Sequence, residues 1–153
     1  MRCGGAEGPV LRVVVDTNVW VSALIVPDSP PGEILAALRA SRFDVVVTWK
    51  LVDEVLRVLK RPKVKRKYAL SAEDVRDLVV LLTPVLPTVE TTVPIRDPGD
   101  VPVVSAALSG RAEAIATGDA DLLDDKELRA WLLERDVEVL TPVETLHRIA
   151  APS

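Results

Sequence analysis

The sequence predicts an α/β protein, a three-layer α/β/α sandwich around a mostly parallel central sheet. Three observations carry that expectation. Four short apolar runs, Leu11–Val15, Phe43–Thr48, Ala114–Thr117 and Val137–Leu140, are rich in β-branched residues. The first of them has the continuous apolar pattern of a strand covered on both faces. Between them lie segments with apolar residues at helical spacing, and such alternation supplies the crossovers that parallel neighbours require.

The elements follow in order. Leu11–Val15 ends at Asp16, and apolar residues then recur at helical spacing from Val19 to Ile25. Pro27, Pro30, Pro31 and Gly32 mark a loop. Pro31 suits the first turn of a helix over Glu33–Ala40, with Ile34, Leu35 and Leu38 on one face. After Phe43–Thr48, Thr48 is placed to cap a helix from Lys50 to Lys60, whose stripe is Leu51, Val55, Leu56 and Leu59. Arg61-Pro62 breaks it, and Lys63–Tyr68 is a short helix. Ser71-Ala-Glu-Asp74 resembles a capping box with Asp in the last place and opens a helix to Leu82. Pro84 and Pro87 end that helix, and Val89–Val93 is a candidate strand. Asp97-Pro98-Gly99-Asp100 has the form of a helix start, with Asp97 at the N-cap; this helix runs to Ser109 and Gly110 closes it. Ala114–Thr117 leads to Gly118-Asp119. A helix over Lys126–Arg135, the strand Val137–Leu140, and a capping box Thr141-Pro-Val-Glu144 before a helix to Ile149 complete the chain. One domain over residues 11–149 is expected, with tails at 1–10 and 150–153 and no internal repeat.

The chain has 153 residues, 23 Asp and Glu against 19 Lys and Arg, and a net charge of −4. One domain of about 100–200 residues fits that length. With one Cys (Cys3) and one His (His147), an internal disulfide, a cysteine zinc cage and a His-Glu-x-x-His helix are all excluded. A bound metal would therefore be held by oxygen, which points to Mg²⁺ or Mn²⁺. A composition of 48% hydrophobic and 27% charged residues is globular. No apolar run approaches the roughly 18–20 residues of a membrane span, and Met1–Pro9 has no hydrophobic segment of a signal peptide. A cytoplasmic protein without membrane contact is expected. The slightly acidic balance weighs against bulk electrostatic binding of nucleic acid but leaves room for a local basic face.

Sites in open parallel sheets lie at the carboxyl ends of the strands, and there the acids gather. Strand one ends in Asp16-Thr17-Asn18, and strand Ala114–Thr117 leads into Asp119-Ala-Asp121. Asp97 and Asp100 flank a helix start, and Glu54 lies early in the helix after strand two. Several carboxylates within a few Å cannot all stay ionised unless something positive joins them. A hard dication does so; it can activate water for attack on phosphorus and stabilise charge on the phosphoryl oxygens. Taken singly the acids have plainer readings. Asp97 serves equally as a helix cap, Asp124 and Asp125 read as a solvated loop, and Asp121 stands between the two readings. Asp16 is different: an acid ending a fully apolar strand is partly buried and needs compensation.

The segments Val13-Val-Val-Asp16-Thr-Asn18-Val-Trp20-Val-Ser22, Thr48-Trp-Lys-Leu-Val-Asp-Glu54-Val-Leu, Asp97-Pro-Gly-Asp100-Val-Pro-Val-Val-Ser-Ala-Ala107 and Ala116-Thr-Gly-Asp119-Ala-Asp121-Leu-Leu123 resemble, in order and spacing, the four signature segments of the PIN domain (PilT N-terminus) family. The resemblance covers about Leu11 to Ile149. It is closest in flavour to toxin components of toxin–antitoxin pairs, similar to VapC-type ribonucleases. It implies a Mg²⁺- or Mn²⁺-dependent endoribonuclease with an acidic quartet of Asp16, Glu54, Asp100 and Asp119. Asp97 and Asp121 would be further acids near the metal, with Asp119 against Asp121 open as the fourth position. Thr17 and Asn18 would orient the first acid or a metal-held water. It further implies an RNA substrate, a separate antitoxin protein that blocks the acidic cleft, and a homodimer.

Directly after the Glu54 helix comes an uninterrupted basic block: Arg57, Lys60, Arg61, Lys63, Lys65, Arg66 and Lys67. It can grip a phosphate backbone without reading sequence, or it can be a solvated face. Tyr68 can stack on a base or pack on the next helix. Trp20, Trp49 and Trp131 are expected in the core or at an interface, and His147 on the surface. The rival functional reading is a non-catalytic PIN-fold scaffold that binds RNA or protein. A receiver-like or phosphatase site is disfavoured, because the first strand ends in a single acid and no strand ends in Lys. A dinucleotide site is disfavoured because no Gly-x-Gly-x-x-Gly follows that strand.

Overall fold

The structure, a computed structural model, describes residues 10–68, 70–82 and 101–151. The predicted strand Val89–Val93 and the segment Asp97–Asp100 lie outside the described residues. Four strands, β1 (Arg12–Val15), β2 (Asp44–Val45), β3 (Ala114–Ala116) and β4 (Glu138–Leu140), form an all-parallel sheet in the order β2-β1-β3-β4. The helices are α1 (Thr17–Ile25), α2 (Pro30–Arg39), α3 (Trp49–Leu59), α4 (Pro62–Tyr68), α5 (Ala72–Leu81), α6 (Val101–Ser109), α7 (Ala120–Leu123), α8 (Lys126–Leu133) and α9 (Pro142–Ala150).

Strand alternation divides the helices into two layers. Val13, Val15, Ala114, Ala116 and Leu140 face one cluster, shared with Trp20, Ile34, Val55 and Leu78 from α1, α2, α3 and α5. Val14, Ile115 and Val139 face the other, shared with Val104, Leu122 and Leu128 from α6, α7 and α8. The apolar runs thus lack polar alternation because both sheet faces are covered. The result is the expected α/β/α sandwich with its sheet between two helical layers.

The helix starts follow the expected chemistry. The side chains of Ser29, Thr48, Ser71 and Thr141 each accept a backbone N–H of the following helix, which satisfies one of the orphan donors there. Thr141 and Glu144 form the reciprocal capping box, at 3.2 and 2.9 Å. Gly32 sits in the first turn of α2 because a Cβ there would lie 2.0 Å from the carbonyl oxygen of Pro27.

Some expectations needed correction. The second strand pairs with β1 over Asp44 and Val45 only; Val46 still donates its N–H to the Val13 carbonyl at 2.9 Å before the chain reaches the Thr48 cap. The short helix α7 was not anticipated; its N-cap is Asp119. Asp125, read as a solvated loop acid, is only 5% exposed and accepts the N–H of Leu128 at 3.1 Å as the cap of α8. Gly110 is not the left-handed residue that ends α6. That role falls to Arg111, with φ 52°, and to Ser41 and Asp136 after α2 and α8. In all three places the next N–H returns to a carbonyl five residues back (Arg42 to Ala37, Ala112 to Ala107, Val137 to Leu132), the Schellman closure.

Candidate active site at the carboxyl edge of the sheet

Because the four strands are parallel, the residues that follow them share one edge. These are Asp16 after β1, Thr48 beyond β2, Thr117 after β3 and Thr141 after β4. From β1 the chain steps to β2 on one side and later to β3 on the other, so the switch point lies between β1 and β3. Their register pairs Val15 with Ala116, which sets Asp16 beside Thr117. The N–H of Asp16 donates to the carbonyl of Ala116 at 2.9 Å, and the Thr117 hydroxyl donates to Asp16 Oδ2 at 2.8 Å.

That hydroxyl also accepts the backbone N–H of Asp119 at 3.0 Å. With the Asp119 N–H donating to it, its own proton is directed at Asp16. Thr117 therefore holds the first acid and the loop of the fourth together, and it is fully buried. Asp119 Oδ1 accepts the N–H of Asp121 at 2.9 Å, which closes the first turn of α7 and leaves the Asp121 carboxylate exposed. On the far side of Asp16, the Thr17 hydroxyl donates to Glu54 Oε2 at 3.2 Å. Asp16, Glu54 and Asp119 are so tied into one region by two threonines.

Asp16 is 9% exposed. Burial pushes its carboxyl above the ordinary range; the Thr117 hydroxyl and the Thr17 backbone N–H pull it back, and the Asp119 charge pushes it up again. Among the described residues no Lys or Arg pairs with it. A buried carboxylate beside a second acid, with its charge unmet, is an environment that a cation relieves. The donors are all oxygen, which suits a hard dication. Among the described residues, three acids do not come close enough together to hold an ion by themselves; Asp97 and Asp100 of the predicted set lie outside those residues.

Thr17 was expected to orient Asp16 or a metal-held water; its backbone N–H bonds the Asp16 carboxyl, and its hydroxyl also holds Glu54, because α3 packs against α1. Asn18 is exposed on the first turn of α1. Thr117 was missed, although a hydroxyl residue ending an apolar strand two places before an acid was a readable signal.

Arg57, Lys60, Arg61, Lys63, Arg66 and Lys67 are all exposed along α3 and α4; of Lys65 only its place within α4 is described. Arg57 is partly committed, since its guanidinium pairs with Asp53 at 2.6 Å. The Lys67 ammonium lies 5.3 Å from the Tyr68 ring centre. Trp20 is buried as expected, but Trp49 is 66% exposed. It caps no core, because the buried stripe of α3 is Leu51, Val52, Val55 and Leu59.

An open parallel α/β fold with acids at its switch point is the architecture of a class of metal-dependent phosphoryl-transfer enzymes, and the comparison with known families narrows it. Residues 12–121 match the PIN domain family, a span that takes in Asp16, Glu54, Asp97, Asp100, Asp119 and Asp121, and the chain belongs to that family. PIN domains are usually nucleases, commonly metal-dependent, and generally bind RNA. The chain is also similar to the uncharacterized protein MJ1680 of Methanocaldococcus jannaschii, 26% identical over 135 residues that cover 86% of each chain. Among the described residues no helix is long and apolar enough to cross a membrane.

Proposed function

We propose that this protein is a Mg²⁺- or Mn²⁺-dependent endoribonuclease and the toxin of a type II toxin–antitoxin pair. The observation that carries the reading is Asp16: buried at the β1–β3 switch point, fixed by Thr117, beside Asp119 and without a cationic partner among the described residues. Asp16, Glu54, Asp119 and Asp100 would hold the ion, with Asp97 and Asp121 nearby. A bound divalent ion would acidify a water and neutralise charge on the phosphoryl oxygens. The chain's own residues do the rest. Thr117 fixes Asp16 in one orientation and fastens the Asp119 loop to it. Thr17 fixes Glu54, so Asp16, Asp119 and Glu54 are positioned before any ligand arrives. The basic residues of α3 and α4 hold the phosphate backbone alongside.

The direct experiment is RNA cleavage with Mg²⁺ or Mn²⁺ by the wild type, Asp16→Asn and Asp100→Asn. Cleavage by the wild type alone supports the reading, and equal cleavage by all three removes it. The toxin role predicts growth arrest on expression, relieved by a small protein encoded next to this one that seals the acidic crevice. The homodimer is checked by sedimentation. A non-catalytic scaffold is the second reading. It draws on the absence, among the described residues, of three acids close enough to hold an ion. RNA binding without any calorimetric signal for millimolar Mg²⁺ would favour it.

A further inference from the structure

We propose that Trp49 and Lys50, the first two residues of α3, form a docking subsite for one nucleotide of a single-stranded RNA, with a base stacked on the indole and the adjoining phosphate on the ammonium. The inference rests on the nuclease reading for the identity of its ligand, but not on cleavage. The three tryptophans differ in what covers them. Trp20 is 2% exposed in the core, and the Trp131 ring lies under the Arg135 guanidinium at 3.6 Å. Trp49, 66% exposed, alone presents an open ring. A large aromatic surface left in water forgoes its burial energy, and a planar partner restores it.

Its place explains which partner. Trp49 opens α3 directly after Thr48, which stands at the carboxyl edge of the sheet beyond β2, the neighbour of β1, and β1 leads into Asp16. Side chains in a helix lean toward its N-terminus, so a first-turn residue overhangs that edge. At about 100° per residue, Lys50 falls between Trp49 and Glu54 on the solvent face of α3. Glu54 is about 7.5 Å further along the axis. The one acid on that face next to Trp49 is Asp53, and Arg57 neutralises it at 2.6 Å. A π surface beside a lysine, one and a half turns from an acid of the candidate site, matches a nucleotide in chemistry: a planar apolar base joined to an anion. Every base has such a face, so the subsite is tolerant of sequence. A duplex keeps its bases stacked on one another and cannot use it.

The test is a fluorescence-anisotropy titration of the full-length protein with a labelled ten-nucleotide oligouridylate, in EDTA so that no cleavage occurs. Trp49→Ala is expected to bind about 5- to 100-fold more weakly, with Tm unchanged because the side chain is exposed. Trp49→Phe, which keeps a π face, restores most of the loss. Lys50→Gln lowers the salt dependence by about 0.7 in the log–log slope. A duplex of the same length binds wild type and Trp49→Ala alike. Equal affinity of wild type and Trp49→Ala for the single strand overturns the proposal. So does unchanged RNA affinity accompanied by a change in sedimentation, which makes Trp49 a protein contact. A wild type that never cleaves RNA in Mg²⁺ or Mn²⁺, yet binds it through Trp49, sinks the nuclease reading and leaves this one standing.

Discussion

The acidic crevice and the basic surface of α3 and α4 adjoin in sequence only where Glu54 precedes Arg57 on α3, and they are built on opposite principles. The crevice is made by strand ends. Its Asp16 is buried, and Asp16, Asp119 and Glu54 are tied by two threonine hydroxyls at 2.8, 3.0 and 3.2 Å. The basic surface is made by helix faces. Its described side chains are exposed, and the bonds they make are local, as Arg57 makes to Asp53 and Arg66 to the carbonyl of Pro62. In the first region position matters, and one displaced atom is felt. In the second the summed charge matters, and each residue is replaceable.

The largest effects should therefore come from the crevice. Asp16→Asn keeps the shape and the hydrogen bond from Thr117 but removes the charge. Cleavage in Mg²⁺ or Mn²⁺ should fall by more than the roughly 10- to 100-fold typical of a residue that only orients a metal ligand. Thr117→Val should itself fall within that range. It also leaves the Asp119 N–H without its acceptor, at a cost of about 1–3 kcal/mol in unfolding free energy, measurable by urea denaturation. If Thr117→Val cleaves as well as the wild type, the crevice is less position-dependent than its hydrogen bonds imply.

The Asp16→Asn substitution also separates stability from activity. Burial is the leading cause that holds the Asp16 carboxyl above its ordinary value. Between the ordinary Asp value of about 3.9 and the raised folded one, the folded chain binds more protons than the unfolded chain. Stability from this group thus falls as pH rises through that window. Asp16→Asn removes the cost. Metal-free Asp16→Asn should melt higher than the wild type at pH 7, by roughly 2–4 °C for each kcal/mol relieved, and the gain should vanish below the window. A lower Tm at pH 7 would mean that the charge is already compensated.

How far each region could be read in advance follows the same division. The crevice acids were legible because an Asp closing Val13-Val-Val is conspicuous, and parallel strands bring their ends to one edge. What joins them was not. Thr117 acts through the β1–β3 register, a pairing of residues about a hundred positions apart that local pattern does not carry. Trp49 was expected in the core or at an interface, and it is the phase of α3 that turns it outward. The left-handed residues Ser41, Arg111 and Asp136 escaped because glycine, the usual sign of that closure, is absent from those positions. The α/β alternation and the caps at Thr48, Ser71 and Thr141 were plain, since each rests on neighbours in sequence.

On the basic surface, replacing Lys63, Arg66 and Lys67 together with alanine should weaken RNA binding evenly across sequences. It should flatten the salt dependence by about 0.7 in slope for each phosphate that is no longer neutralised, with little change in Tm. A sequence-dependent loss would mean that these residues read bases and would blur the distinction from the crevice.

The smallest effect is the most diagnostic of how that surface works. Asp53 and Arg57 pair at 2.6 Å, both about two-thirds exposed, and an exposed pair of this kind is worth about 0.2–1 kcal/mol. Asp53→Asn should barely move the Tm. It removes a negative charge from the face that carries Lys50 and Trp49 and releases Arg57 to meet a phosphate. RNA affinity should then rise by about two- to fivefold at low salt, the equivalent of the pair's own energy, and the gain should shrink as added salt screens it. An affinity that falls instead would make Asp53 a positioning residue for Arg57, and the basic surface would then share the crevice's dependence on geometry.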